Sequence, residues 1–124
     1  DGADGADGAD GAAPSWAYNA VTYNADWADF GNSGGVDYRR GQYGVSGTQR
    51  HVCGSIKRTA GSTLTPFTLP VGHRPPRTVV GWANSNGTNL QYILGVNGVL
   101  TFNSGVLGNQ IQSFDIRFDT AELT

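Results

Sequence analysis

His51 and Cys53 stand two residues apart in the run RHVCGSIK at 50–57. A thiol beside an imidazole is the pairing of a cysteine nucleophile with its general base. In an extended strand both side chains share one face, about 7 Å apart, and no third group nearby in the sequence orients the imidazole. A buried cysteine also behaves as a small hydrophobe, and that is the reading preferred for Cys53. Glycoside hydrolysis needs two carboxylates across the scissile bond. The acids after residue 13 are Asp26, Asp29, Asp37, Asp115, Asp119 and Glu122. Asp26 and Asp29 flank Trp27 and fit a capped or solvated turn. Asp115 lies opposite the apolar face of its segment, free to pair with Arg117 or a neighbouring strand. Two histidines and one cysteine cannot close a four-ligand metal site in one chain. Only three copies of His51 or His73 meeting on a symmetry axis would change that count. The expectation is therefore no catalytic residue, no metal and no cofactor.

Binding chemistry is better represented. The run Trp82-Ala83-Asn84-Ser85-Asn86-Gly87-Thr88-Asn89 sets amides and hydroxyls beside an indole. Aromatic faces stack on sugar rings and amides hydrogen-bond hydroxyls. Trp82, Asn84, Asn86 and Asn89 are thus the candidate glycan contacts, carried on a polar loop at 84–88.

The elements that must position these residues fall into two parts. Residues 1–13 read DGADGADGADGAA, with Gly2, Gly5, Gly8 and Gly11 at a strict period of three. A glycine at every third position is what the crowded axis of a collagen triple helix demands, whereas a flexible linker needs no such register. This stretch reads as the end of a longer Gly-X-Y stalk, and at ~3.1 Å per residue it would reach ~40 Å; the alternative reading is a flexible acidic spacer. It holds four of the ten acidic residues and none of the eight basic ones. It has neither the basic start nor the apolar core of a secretory signal. The rest of the chain carries only a weak positive excess, too little for a nucleic-acid footprint, and Lys57 is its sole lysine. No apolar run is long enough to cross a membrane, and a single cysteine excludes an intrachain disulfide framework.

After residue 13 the chain is rich in Val, Ile and Thr and poor in helix formers, with Glu122 its only glutamate and no methionine. Such residues suit a pleated surface, and turn residues recur about every ten positions, as in a sandwich or barrel. Strands are expected at 16–23, 36–40, 43–48, 50–57, 63–69, 77–83, 89–96, 99–102 and 111–118. Pro66 demotes 63–69 to an edge strand or bulge. Leu90, Tyr92, Leu94 and Val96 share one face; Phe114, Ile116 and Phe118 share another. Asn97-Gly98 reads as a two-residue hairpin turn. In LPVGHRPP at 69–76, Leu69 ends a strand, Pro70 stops the ladder, Gly72 turns the chain, and Pro75 with Pro76 stiffens the exit. A domain this small leaves a thin core, which association into a trimer would thicken.

Tyr38-Arg39-Arg40, Tyr43-Gly44-Val45, Gly54 and the run Phe67-Thr68-Leu69-Pro70-Val71-Gly72-His73-Arg74-Pro75 carry a resemblance. The body, over roughly residues 27–118, resembles the C-terminal domain of tailed-phage tail fibres and minor tail proteins. That family opens on a tryptophan, here Trp27 or Trp16, carries an LPxGxRP strand-turn in mid-domain, and closes on a short hairpin and a final strand. Collagen-like repeats often precede it. One departure is Tyr43-Gly44-Val45-Ser46-Gly47, with small polar residues where an apolar stripe is expected. The resemblance implies a homotrimeric tip that attaches the virion to a bacterial surface.

The expected architecture is all-β: a collagen-like triple-helical stalk at 1–13, a lead-in linker at 14–35, and a homotrimeric antiparallel β-sandwich head at 36–124. The expected function is that of a non-enzymatic tail-fibre or minor-tail-protein tip, located in the virion tail. Its expected partners are two further copies of itself, other phage tail proteins and a host cell-surface polysaccharide, with no nucleic acid and no membrane insertion. Two alternatives share the leader. One is a bacterial or spore-surface collagen-like protein with a jelly-roll head, for which the body is short. The other is a polysaccharide depolymerase tip, which needs a carboxylate pair in a groove.

Overall fold

The computed structural model describes residues 15–103, 108 and 110–121, so the triplet glycines Gly2, Gly5, Gly8 and Gly11 lie outside the described residues. Ten strands and no helix occur among those residues. They are β1 (Ala17–Ala20), β2 (Trp27–Asp29), β3 (Asn32–Ser33), β4 (Val36–Asp37) and β5 (Gln42–Ser46), then β6 (Gln49–Arg58), β7 (Val79–Ser85), β8 (Thr88–Leu94), β9 (Leu100–Phe102) and β10 (Gln112–Asp119). All pairings are antiparallel. The main sheet has eight strands in the order β1-β5-β6-β10-β7-β8-β9, with β2 also on β6, while β3 and β4 form a separate hairpin.

The all-β expectation holds, but in place of two separate sheets one sheet curls on itself. Its halves are joined where Gln112 and Ser113 of β10 meet Ser85 and Asn84 of β7, and where Asn86 N–H donates to the Ile111 carbonyl (3.1 Å). Its two ends approach through residues 64–69. Tyr23 bridges Phe67, and Thr68 bridges Val99. Leu69 N–H also donates to the Gly98 carbonyl (2.9 Å), and Phe102 N–H to that of Leu64 (2.9 Å). Pro66 sits in this segment and cannot donate to a ladder, which accounts for isolated bridges where the sequence suggests an edge strand. The core lies inside the curl. Val52, Ile56, Phe114 and Ile116 of one half face Leu90, Leu94, Leu100 and Phe102 of the other, with Phe67 and Leu69 between. Phe67 and Phe114 stack with ring centroids 5.8 Å apart.

Residues 17–29, expected as part of a lead-in linker, belong to this domain. β1 pairs with β5, β2 pairs with the end of β6, and Val21 and Trp27 enter the core. The Trp27 indole N–H donates to the Thr63 carbonyl (3.1 Å). β6 is long because one edge serves two partners in turn, β5 up to Cys53 and β2 from Ile56. The changeover falls at Gly54, whose φ is +149° and where a Cβ would lie 2.5 Å from the Arg40 carbonyl oxygen. A side chain there would drive β6 away from the backbone at Arg40 and Gly41.

The LPVGHRP segment is a scaffold. His73 N–H donates to the Pro70 carbonyl (3.1 Å), with Gly72 at φ +92° between them. That is the glycine-demanding position of a type II turn. Arg50, 7% exposed, ties the turn down. It donates through Nη2 to the Gly72 carbonyl (3.2 Å) and through Nε to His73 Nδ1 (3.0 Å). Its Nη1 reaches the carbonyls of Gly47 (2.8 Å) and Gln49 (2.9 Å). Pro75 is buried and Pro70 exposed.

Candidate functional site

β7, β8 and β9 turn one set of side chains into the core and the alternate set to solvent. The register sets Val80 opposite Ile93, Trp82 opposite Gln91 and Asn84 opposite Asn89. On the next strand Thr101 faces Ile93, and Asn103 N–H donates to the Gln91 carbonyl (2.9 Å) just past the end of β9. The result is an exposed sheet face with Trp82 67% exposed, Val80 56% and Ile93 37%. Trp82, Gln91 and Asn103 form one row across three strands. Val80, Ile93 and Thr101 form a second, and Asn84 with Asn89 a third. None of these eight side chains carries a charge.

Of the expected contacts, Trp82, Asn84 and Asn89 share this face; Asn84, expected in the loop, is a strand residue like the other two. β7 runs to Ser85 and β8 starts at Thr88. The connection is the two-residue turn Asn86-Gly87, with φ +48° and +89°. These values match a type I′ hairpin. Asn86 is therefore spent on the turn, and Asn84 Oδ1 closes it by accepting from Gly87 N–H (2.9 Å). The Asn97-Gly98 hairpin is corrected in the same way. Only Gly98 has positive φ (+81°), and residues 95–99 make a wider loop in which Asn97 Oδ1 accepts from Val99 N–H (3.1 Å). Its tip is shaped by the Leu69–Gly98 pairing, since Gly98 packs against Leu69 and Arg74.

Gln91 and Asn103 were not among the expected contacts. Asn103 Nδ2 donates to Gln91 Oε1 (3.0 Å), locking two amides side by side next to Trp82. The signal for Gln91 was present. If Leu90, Tyr92 and Leu94 face inward, then Asn89, Gln91 and Ile93 face outward.

A second polar cluster lies on the outer face of β1, β6 and β10. Asp115 Oδ1 is 3.0 Å from His51 Nε2, and the Tyr18 hydroxyl is 2.9 Å from His51 Nδ1. A carboxylate only accepts, so Nε2 carries the proton and Nδ1 accepts from tyrosine. Cys53 Sγ stands 3.9 Å from the same Nδ1, and Arg39 Nη1 is 3.5 Å from the sulfur. A third group thus does orient the imidazole, and it comes from β10, far away in sequence. Asp115 also lies 3.6 Å from Arg117 Nε. The His51 ring already accepts from Tyr18, Cys53 is 1% exposed, and Trp16 and Tyr18 rings cover the histidine. The arrangement is a partly buried polar tie, centred on the buried His51, that fastens β1 to β6 and β10. No group of three or more potential metal ligands occurs among the described residues.

Burial perturbs several ionisable groups, His73 and Tyr23 among them. Burial, and then the Arg50 charge, hold His73 below the usual histidine range. Burial, and then a hydrogen bond to Asp29, push the Tyr23 hydroxyl up. No helix among the described residues is long and apolar enough to cross a membrane.

No model of a known protein family, no curated protein and no solved structure matches the chain.

Proposed function

We propose that the chain is a non-enzymatic adhesive head, the tip of a phage tail fibre or minor tail protein, that attaches the virion to a host cell-surface glycan. The observation that carries this reading is the uncharged outer face of β7, β8 and β9, where an indole two-thirds exposed lies among amides. A tryptophan left so open loses the stability its burial would bring. A sugar ring would cover its face while the flanking amides take the hydroxyls. The triplet leader, with glycine at residues 2, 5, 8 and 11, supports the collagen-like stalk and the trimer. β1 follows the leader directly, lies at the end of the sheet order and is exposed at all four positions, so a neighbouring copy could cover it. The LPxGxRP turn supports the phage assignment through the resemblance alone. Three identical heads on one stalk turn a weak sugar contact into useful avidity.

The test is adsorption of the fluorescently labelled chain to intact bacteria, with and without soluble surface polysaccharide extracted from the same cells. Saturable adsorption displaced by the polysaccharide supports the reading. Absence of adsorption across the bacteria able to host the phage that encodes the chain overturns it.

A further inference from the structure

The amide pair beside Trp82 has a polarity that selects what can lie there. Asn103 Nδ2 is committed to Gln91 Oε1 at 3.0 Å. Gln91 Nε2 is left as a donor and Asn103 Oδ1 as an acceptor, neither with another partner among the described residues. A free amide donor and a free amide acceptor on adjacent side chains suit the hydroxyls of a sugar, which both accept and donate. Gln91 is directly opposite Trp82 in the β7–β8 ladder, and Asn103 is one strand further on. A pyranose lying flat on the indole would therefore meet the amides at its rim. Equatorial hydroxyls project from the rim, whereas axial ones point out of the ring plane. The other side chains of this face, Val80, Ile93, Thr101, Asn84 and Asn89, offer no charge to pair with a carboxylate or phosphate.

We infer that Trp82, Gln91 and Asn103 form a subsite for a neutral pyranose that lies on the indole and presents rim hydroxyls to the two amides. This rests on the proposed glycan-binding role of the face and adds the class of sugar and two binding residues.

The test is isothermal titration of the full chain with three soluble polymers. They are an α-1,6-glucan whose 2-, 3- and 4-hydroxyls are free and equatorial, a galactan with axial 4-hydroxyls, and a polyuronate. Gln91→Leu removes the donor while keeping a strand-compatible side chain, and Trp82→Ala removes the platform; unchanged circular dichroism and melting show that each variant folds. The expected result is binding of at least one of the two neutral polymers and no polyuronate binding. Gln91→Leu should lose fivefold or more and Trp82→Ala tenfold or more. Polyuronate binding as tight as that of a neutral polymer, or Gln91→Leu at wild-type affinity beside a Trp82→Ala that binds nothing, overturns the neutral-sugar subsite and leaves the adhesive face standing. No binding to any of the three, with adsorption to host cells intact, also overturns the subsite alone. If Trp82→Ala instead changes the sedimenting mass and no polymer binds, the face is a contact between copies, and both readings fail.

Discussion

Replacing Arg50 tests whether the LPVGHRP segment is held as a scaffold. The guanidinium is 7% exposed and makes four hydrogen bonds, to the carbonyls of Gly47, Gln49 and Gly72 and to His73 Nδ1. A hydrogen bond from a charged donor contributes about 1.5–3 kcal/mol net. Gly47, Gln49 and Gly72 lie at exposed positions, so their carbonyls can recover water when the arginine is gone. The lasting losses are the bond to His73 and the packing of the arginine stem. Arg50→Ala should therefore cost about 2–4 kcal/mol. Arg50→Lys keeps the charge but offers a point in place of a fork. It cannot reach β6 and the 70–73 turn together, and should cost about half as much. The assay is urea unfolding of the full chain at one fixed protein concentration, with hydrogen exchange at His73 N–H as the local readout. The two variants should rank Lys above Ala in stability, and exchange should accelerate at His73 in both. An alanine variant within about 0.5 kcal/mol of wild type, with exchange at His73 unchanged, would refute the scaffold.

The same turn makes stability pH-dependent. Because His73 is held below its ordinary value near 6.5, the unfolded chain binds more protons just below that pH. The stabilisation is complete above about pH 6.5 and falls as pH drops through the folded value. Melting at pH 7, 6 and 5.5 should show a steeper acid loss in wild type than in His73→Gln, whose amide oxygen can still accept from Arg50; equal slopes would exclude this. In the polar tie, Asp115→Ala should cost about 1–3 kcal/mol by leaving the His51 Nε2 proton unpaired in a site 4% exposed. Asp115→Asn, which can still accept that proton, should cost under about 1 kcal/mol; denaturant melts that rank the two the other way would exclude the assigned tautomer. Sedimentation equilibrium of the full chain should give about 39 kDa, three times the 13.0 kDa chain. A mass of 13.0 kDa at micromolar concentration would remove the trimer.

What the sequence revealed and what it hid have separate physical causes. The inward face of β10 was readable because Phe114 and Ile116 alternate with polar residues, and that of β8 because Leu90, Tyr92 and Leu94 recur at every second position; all five are buried, whereas Val96, expected on the same face, lies past the end of β8 and is exposed. The role of Gly72 was readable because few residues other than glycine suit the third position of a type II turn. β2 was missed because Trp27-Ala28-Asp29 is three residues long, and its pairing partner at 56–58 lies beyond β3, β4 and β5 in the chain. The two Asn-Gly pairs, at 86–87 and 97–98, carry the same local signal. Only the β7–β8 pairing decides that the first is the tight turn, while docking against Leu69 and Arg74 opens the second. Asp115 could not be placed on His51 without the β6–β10 register, and the Gln91–Asn103 amide pair needed the register of β9 on β8. Local pattern thus supplied faces and turns, while the sites came from pairings between distant segments.

The most direct test of the adhesive face is the fluorescence of its own indole. Trp27 is 5% exposed and Trp16 partly buried, so Trp82 dominates quenching by a soluble agent such as acrylamide. Addition of surface polysaccharide from the adsorbing host should shift emission to the blue and protect the chain from acrylamide, and Trp82→Phe should abolish both effects. Emission and quenching unchanged by a polysaccharide that displaces the chain from cells would place the glycan elsewhere and contradict the assignment of this face.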